Sequence, residues 1–423
     1  MFKSLFKTLE HRRLFANVQN LFLVQATNYL LPLLVIPYIV RVIGPDKFGL
    51  ISFAQTTILY FLMITDYGFD ITGTQWLAQN QDDGTKRSEL FSTVTSLKAI
   101  LCFFCAILLL IATTLFPAVR EHATLYWAYF LMIPGMLMFS NWYYMGMEEM
   151  KYLNYPNVIS KIGYAAGVFL FVKVEADYEK VALFYGLSIF IGGLFSLWIL
   201  KRRFNISFTL QPINKLITAA REGWAIFLST FAIHLYRRSN IFFLGLVAPS
   251  EAVGYYSAGE KIVKALQSTF VPVTQAFYPF ISRRMNVSKG KTAPVIKKLM
   301  LILGASTFLL SLLMSIFAEP LITFFAGERF VASILVFQIA CFVICFGVLN
   351  YILGILFMTN IGLKHEFTMS VIIIALINVA LCLILSNIWQ EIGAAMAFVT
   401  AEALLLLLLI SFSLKNKHRW SDA

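Results

Sequence analysis

Four basic residues lie inside apolar stretches of the second half of the chain, where a charge needs a specific partner. Arg237 and Arg238 share one apolar run, and Lys261 and Lys264 lie in the next run beside Glu260. An ionisable residue at mid-span costs about 2.5 to 3.5 kcal/mol on insertion scales, so these side chains should face protein or water. Their excess over Glu260 predicts an anionic ligand. Phosphate or pyrophosphate fits, because guanidinium binds its oxygens bidentately and ammonium acts as a point charge.

His234 joins this predicted anion-binding group, because spacings of three and four residues place it on one helical face with Thr230 and the two arginines. Purely structural pairing of the charges is the alternative. Glu402, in the middle of the last apolar run, is the obvious partner in that case. Its position also makes Glu402 a candidate for binding a coupling ion.

The first half of the chain offers neutral polar side chains instead. Gln25 and Asn28 lie in the first apolar run, Gln55 and Tyr60 lie in the second, and an aromatic cluster follows at 142–144. Amides and ring faces suit sugars, so we expect them to line a path for a glycan, although a single Tyr is more often structural.

Asp66 and Asp70 lie four residues apart at the inner end of the second apolar run. Asp66 is a candidate for gating or for ion coupling. Pairing at the helix end, with Lys98 or Arg87, is the alternative role.

The elements that hold these side chains must be transmembrane helices. Hydrophobic residues make up 59% of the chain, charged residues 13%, and the mean hydropathy is +0.76. A membrane crossing needs about 20 apolar residues, so a chain of this length holds at most about a dozen crossings and no soluble domain. Twelve apolar runs are predicted as crossings: 16–40, 48–65, 97–117, 125–145, 158–174, 181–200, 224–247, 253–280, 299–318, 331–358, 367–387 and 392–414. Pro32 and Pro37 in the first run, and Pro272 and Pro279 in the eighth, predict kinks.

The distribution of Lys and Arg predicts the orientation, because basic residues stay on the cytoplasmic side of short loops. Alternate loops are rich and poor in these residues, so both termini should be cytoplasmic. This arrangement accounts for most of the net charge of +12 without a nucleic-acid partner. The predicted organisation is a basic segment (1–15), a six-helix bundle (16–200), a cytoplasmic linker (201–223), a second six-helix bundle (224–414) and a tail (415–423).

The two halves contain a short repeat at an offset of 205 residues, where 48–52 aligns with 253–257. Each copy opens an apolar run just after a proline, Pro45 or Pro249. Six runs per half would give both halves one orientation, the parallel kind of transporter repeat, and this favours alternating access. Chance similarity between two apolar segments is the alternative.

No motif for a cofactor is present. Cys102 and Cys105 form a Cys-x-x-Cys motif within one apolar run, without a second cysteine pair or a histidine cluster nearby. Neither a metal nor a redox role is therefore expected for them. The sequence contains no P-loop, which excludes ATP as the direct source of energy. These features predict a transporter rather than an enzyme.

Five segments of the chain have a recognisable pattern: RVIGPDKFGL at 41–50, FAQ at 53–55, TDYGF at 65–69, NWYYMGME at 141–148 and GYYSA at 254–258. Together they resemble the Wzx-type O-antigen flippases. The first segment is the specific one, and the resemblance spans most of the chain. Met145 and Glu149 stand where members of that family often have Gln and Lys.

The resemblance implies the fold of the multidrug/oligosaccharidyl-lipid/polysaccharide exporter superfamily, with two six-helix bundles around a central cavity. It also implies movement of undecaprenyl-pyrophosphate-linked oligosaccharide from the cytoplasmic to the periplasmic leaflet of the bacterial inner membrane. The four basic residues would then hold the pyrophosphate, the first bundle would accommodate sugars, and the prenyl tail would remain in membrane lipid. A polysaccharide polymerase and chain-length machinery are the implied partners.

Three other functions compete with this interpretation. A flippase for another anionic lipid-linked glycan would need the same basic residues. A multidrug exporter of the same superfamily would need acidic residues to bind cationic drugs, and a polymerase or ligase would need a large outer loop with catalytic Arg or His. The basic centre and the short outer loops disfavour these last two functions.

Overall fold

The computed structural model describes the backbone of residues 9–287 and 289–416. Side chains are described from Leu34 onward, except at 232–234, 236–237, 271–273, 275–276, 286–289 and 291. The described α-helices are α1 (Leu9–Asp66), α2 (Phe69–Ala78), α3 (Gly84–Leu115), α4 (Pro117–Arg120), α5 (Ala123–Phe130), α6 (Met132–Phe139), α7 (Asn141–Gly146), α8 (Lys151–Phe171), α9 (Tyr178–Phe204), α10 (Ile213–Val247), α11 (Ser250–Ser268), α12 (Val271–Val287), α13 (Lys289–Ile316), α14 (Ala318–Ala326), α15 (Ser333–Ala340), α16 (Val343–Asn350) and α17 (Lys364–Lys415). Glu175–Asp177 and Glu328–Phe330 form 3-10 turns, and Tyr351–Met358 forms a π-helix.

Helices α1 and α17 are each too long for one crossing. They contain 58 and 52 residues, and at 1.5 Å per residue each would be about 80 Å long if straight, against a hydrocarbon core of about 30 Å. Each is broken at one place: α1 at Gly44, with φ 70°, and α17 at Trp389 and Gln390, with φ 48° at Gln390. Both breaks lie between apolar runs that the sequence separates, so each helix is interrupted where two predicted runs meet.

Seven helical stretches in the described residues are long and apolar enough to cross a membrane. Their outward surface carries large apolar side chains, such as Phe103 at 69% exposure on α3 and Leu301 at 71% on α13. Apolar surface of this extent is stable in lipid and not in water. The chain is therefore a multi-pass membrane protein, and the number of twelve crossings stays a prediction.

Three predicted runs are less regular than expected. The run 125–145 is divided among α5, α6 and α7, the run 331–358 among α15, α16 and a π-helix, and the run 253–280 between α11 and α12 just before Pro272. At Ser140, between α6 and α7, the backbone adopts a left-handed conformation with φ 46°. Ser196 donates a hydrogen bond of 2.6 Å to the carbonyl oxygen of Phe139 there. Irregular backbone at membrane depth needs such a partner, because lipid offers none.

The described residues form two compact units. The first contains the described residues up to Val42 together with Ala54–Phe231, and the second contains Ile43–Phe53 together with the described residues from Ala232 onward. The segment Ile43–Phe53 therefore packs with the second half of the sequence.

In the first unit, α9 packs closely on α5 and α6 through glycines. A Cβ atom at Gly186 would lie 2.2 Å from the carbonyl oxygen of Ala128, and one at Gly193 would lie 2.3 Å from that of Gly135. Small residues at such crossings let membrane helices approach at backbone distance, where dispersion contacts hold them together.

The stretch between α9 and α10 is attached to α3 of the same unit. The Ser92 hydroxyl accepts a hydrogen bond of 3.0 Å from the Thr209 backbone N–H, and Lys215 pairs with Glu89. Within the stretch 201–223, which is predicted as a linker, only 205–212 lacks regular structure. Helix α9 extends to Phe204, and α10 begins at Ile213.

In the second unit, the repeat found in the sequence forms a reciprocal contact. A Cβ atom at Gly49 would lie 1.7 Å from the carbonyl oxygen of Ser250, and one at Gly254 would lie 2.0 Å from that of Pro45. The offset of 205 residues relates Gly49 to Gly254 and Pro45 to Ser250, so the two contacts are the same contact made twice. This reciprocity supports a true repeat over chance similarity.

We expect Gly49→Ala and Gly254→Ala each to destabilise the protein by about 1 to 3 kcal/mol, because the added methyl group overlaps a backbone oxygen. The measurement is thermal unfolding of the detergent-purified protein. Gly163→Ala is the matched control, since its Cβ would meet only the Ser188 Cβ at 3.8 Å. Equal unfolding temperatures for all three variants would contradict the close packing.

Candidate functional site

The predicted anion-binding lysines lie on α11, an amphipathic helix of the second unit. Glu260 is 3% exposed, and its Oε1 lies 2.7 Å from Nζ of Lys264, one turn further along. The predicted pairing of these two residues is confirmed. The lysine side chain keeps 38% of its surface exposed, so it can still reach a second anion.

A chain of buried hydrogen bonds lies one helical turn from Glu260. The buried Tyr256 hydroxyl, which precedes Glu260 by four residues on α11, accepts a hydrogen bond from Asn240 Nδ2 at 3.1 Å. Asn240 Oδ1 in turn accepts from Asn378 Nδ2 at 2.8 Å. The chain joins α10, α11 and α17, because each buried polar group needs its partner.

Lys261 is held differently. Its Nζ lies over the Phe48 ring, 4.5 Å from the ring centroid. Glu260 attracts this ammonium group and Lys264 repels it. Two lysines that repel each other beside one buried carboxylate leave a local positive charge, which favours binding of an anion.

The other predicted anion-binding residues lie on α10. The Arg238 side chain is exposed, whereas its neighbours Ser239 and Asn240 are buried. The side chains of Arg237 and His234 lie outside the described residues. The role of these three residues therefore stays a prediction.

Glu402 on α17 is 8% exposed and belongs to a separate polar contact. Its Oε2 accepts a hydrogen bond of 2.7 Å from Asn350 Nδ2, and its backbone oxygen accepts from the same amide at 3.0 Å. A buried carboxylate that accepts a hydrogen bond from an amide is a chemically reasonable site for a proton.

In the first unit, Lys98 of α3 binds both acidic residues of the adjacent helix ends. Its Nζ lies 2.5 Å from Asp66 Oδ1 and 3.8 Å from Asp70 Oδ1. Lys98 is almost fully buried, while the carboxylates are about one third and two fifths exposed. The predicted pairing with Lys98 is confirmed, and these three residues form an acidic triad with one surplus negative charge.

The predicted sugar-lining residues are only partly described. Gln55 and Tyr60 are half-buried. The side chains of Gln25 and Asn28 lie outside the described residues. A glycan-facing role for all four stays a prediction.

The aromatic cluster has a structural role. Trp142, Tyr143 and Tyr144 are at most 1% exposed and belong to the apolar core of the first unit with Phe69 and Phe91. The expectation that these three rings accommodate sugars is wrong in this conformation, because their faces are covered by protein.

The sequence interpretation missed Asn240, Asn378 and Tyr256. The two asparagines were detectable, since each interrupts a long apolar run, and an amide in that position is expensive unless it is hydrogen-bonded. The hydrogen bond between these two asparagines could not be predicted from the sequence, because they lie 138 residues apart on different helices.

The fold is that of known membrane transporters. One similar solved structure is the lipid II flippase MurJ in an inward closed conformation, with a TM-score of 0.73 and 14% identity, covering 95% of this chain and 87% of that one. Another is an inward-facing multidrug resistance MATE family transporter of the MOP superfamily, with a TM-score of 0.68 and 15% identity, covering 92% of this chain and 94% of that one. This likeness defines the fold of the chain.

The sequence comparison defines the family. Residues 14–285 match the family described as "Polysaccharide biosynthesis protein". The "Putative O-antigen transporter" of Escherichia coli strain K12 is 31% identical over 401 residues, covering 95% of this chain and 97% of that protein. The chain therefore belongs to the polysaccharide biosynthesis protein family, and it is a transporter rather than an enzyme.

We expect the double variant Asp66→Asn/Asp70→Asn to lose about 3 kcal/mol of stability, because it leaves the Lys98 ammonium buried without a carboxylate. Thermal unfolding in detergent measures the loss. The triple variant with Lys98→Met should recover most of it, since the buried charge is then gone. A triple variant no more stable than the double variant would show that the triad is not held by this charge balance.

Proposed function

We propose that this protein is a flippase that moves undecaprenyl-pyrophosphate-linked oligosaccharide, the O-antigen repeat unit or a related one, from the cytoplasmic to the periplasmic leaflet. The movement would occur by alternating access. The observation that carries the proposal is the pair Lys261 and Lys264 beside the buried carboxylate of Glu260, two positive charges against one negative charge. Such a site favours an anionic ligand, and the pyrophosphate of a lipid-linked oligosaccharide is one.

The relatives support the same substrate class. The Escherichia coli relative is named for O-antigen transport, and it aligns over nearly the whole chain. MurJ, which is named for the flipping of lipid II, shares the fold. A pyrophosphate bound by ammonium and guanidinium groups would account for one fold serving different lipid-linked glycans, because the sugars are bound elsewhere.

The proposed architecture has twelve crossings in two six-helix bundles, 16–200 and 224–414, around a central cavity. Both termini would be cytoplasmic in the bacterial inner membrane, in keeping with the distribution of Lys and Arg. Arg237, Arg238 and His234 would join the two lysines at the pyrophosphate. Gln25, Asn28, Gln55 and Tyr60 would face the sugars, and a polymerase with its chain-length machinery would receive the product.

Energy would come from consumption of the product on the far side or from an ion gradient, which would act on Asp66 or Glu402. Asp66 belongs to a triad with a surplus negative charge, and Glu402 is a buried carboxylate held by Asn350. Protonation of either group changes its net charge. Because a charge inside the membrane is energetically costly, such a change would alter the relative free energies of the conformations.

A flippase for a different anionic lipid-linked glycan is the second candidate, and the structural likeness to MurJ favours it. The lysine pair would serve a teichoic acid precursor or a peptidoglycan precursor equally well. The same electrostatics disfavour a carrier of cationic drugs.

In a strain that lacks the gene, we expect lipid-linked repeat units to accumulate on the cytoplasmic face and surface polysaccharide to be lost. Extraction and mass analysis of lipid intermediates, with an impermeant label for the periplasmic leaflet, measures both. Normal surface polysaccharide with unaltered lipid intermediates would remove the flippase proposal. Accumulation of a different lipid-linked glycan would favour the second candidate.

We expect Lys264→Gln to lower transport at least about tenfold, because it removes a charge-assisted bond to the substrate. This variant also leaves Glu260 without its ammonium partner, so the double variant Glu260→Gln/Lys264→Gln is the decisive test. If the pair is only structural, the double variant should transport normally. If Lys264 binds the substrate, the double variant should insert and unfold normally and still fail to transport.

Lys180→Gln is the control for loss of one positive charge, because Lys180 pairs with Asp177 in an exposed turn outside the site. It should transport at the rate of the unmodified protein. Transport is measured per molecule inserted in the membrane.

A further inference from the structure

Phe48 is the residue that joins the candidate anion site to the segment Ile43–Phe53. Its ring is 1% exposed and lies beneath the Lys261 ammonium. The ring also packs edge-on against Phe330, with centroids 6.2 Å apart. Because Phe48 contacts the Lys261 ammonium, an anion that binds this ammonium competes with the Phe48 ring for it.

The segment around Phe48 is docked on α11 by backbone contacts. Gly49 lies against the carbonyl oxygen of Ser250, and Gly254 lies against that of Pro45. The Ser250 hydroxyl donates a hydrogen bond to Asp46. Contacts of this kind are short-ranged, because a slight separation forfeits much of the dispersion energy.

We propose that Phe48 couples anion binding at Lys261 to release of the segment Ile43–Phe53 from α11. The proposal rests on the proposed function, because it takes the anionic group of the transported lipid as the ligand. The Lys261 ammonium lies on the Phe48 ring and helps to hold the segment. A phosphate group competes for the same ammonium, since a charge-assisted hydrogen bond is stronger than a cation–π contact.

The coupling works in both directions. A ligand that weakens docking of the segment must bind more tightly to the undocked state, by thermodynamic linkage. In the proposed topology the break at Gly44 lies on the periplasmic side, between the first two predicted crossings, so release of the segment would loosen the periplasmic end of the unit. That end would stay closed while the segment is docked and would be free to open after its release.

The test measures the distance between the segment and α11 with a thiol crosslinker. The five native cysteines are replaced, and Asp46→Cys and Ser250→Cys are introduced together, because their side chains are in contact. The full-length protein in liposomes is treated with a short bis-thiosulfonate. Undecaprenyl pyrophosphate is the probe, and undecaprenol is the control that keeps the lipid chain and lacks the charge.

We expect undecaprenyl pyrophosphate to slow crosslinking about threefold to tenfold and undecaprenol to leave it unchanged, a range set by the strength of a partly desolvated cation–π contact. With Lys261→Gln added, the probe should lose this effect. With Phe48→Leu added, crosslinking should be slow even without the probe, whereas Phe48→Tyr should behave as Phe48 does.

Two results would overturn the proposal. One is crosslinking that stays unchanged while separately measured binding of undecaprenyl pyrophosphate is saturated. The other is a Phe48→Leu protein that crosslinks as fast as the Phe48→Tyr protein. Either result leaves the flippase proposal intact, because that proposal fails only on the lipid analysis of the deletion strain.

Discussion

A charge among apolar helices is stable only where another group replaces the water that it has lost, and this constraint organises both units of the protein. Lipid hydrates neither ammonium nor carboxylate. Lys98 therefore binds Asp66 and Asp70, and Glu260 binds Lys264. In each unit the matching is incomplete. The triad of Lys98, Asp66 and Asp70 has one surplus negative charge, and the group of Glu260, Lys261 and Lys264 has one surplus positive charge. These two groups are the proposed binding positions of an ion and of an anionic substrate.

The surplus positive charge of the group Glu260, Lys261 and Lys264 lies beside neutral buried groups. Tyr256, one turn from Glu260 on α11, is hydrogen-bonded to Asn240, and Asn240 is hydrogen-bonded to Asn378. These bonds join α11 to α10 and α17. The Glu260 carboxylate orients Lys264 through a contact of 2.7 Å, whereas the Lys261 ammonium rests on the Phe48 ring. In the proposed mechanism, the substrate replaces this second, weaker contact.

Glycine determines which helices can share these contacts. The crossing of Ile43–Phe53 with α11 brings backbone against backbone at Gly49 and Gly254, and no larger side chain fits there. That approach places Phe48 under Lys261. The two copies of the internal repeat therefore pack against each other in the second unit through reciprocal contacts. A family signature in the first half of the sequence is thereby part of the candidate site in the second.

The sequence by itself determined the membrane class, most helix positions, the breaks near Gly44 and Gln390, and the pair of Glu260 with Lys264. Composition, hydrophobic runs and the spacing along one helix are sufficient for these. The tertiary structure selected Lys98 over Arg87 as the partner of Asp66. Only the tertiary structure decided that Ile43–Phe53 packs with α11, that Trp142 to Tyr144 lie in the core, and that Asn240 meets Asn378. Those facts depend on contacts between residues far apart in the chain, and a single sequence records which residues need partners without recording which partners they find.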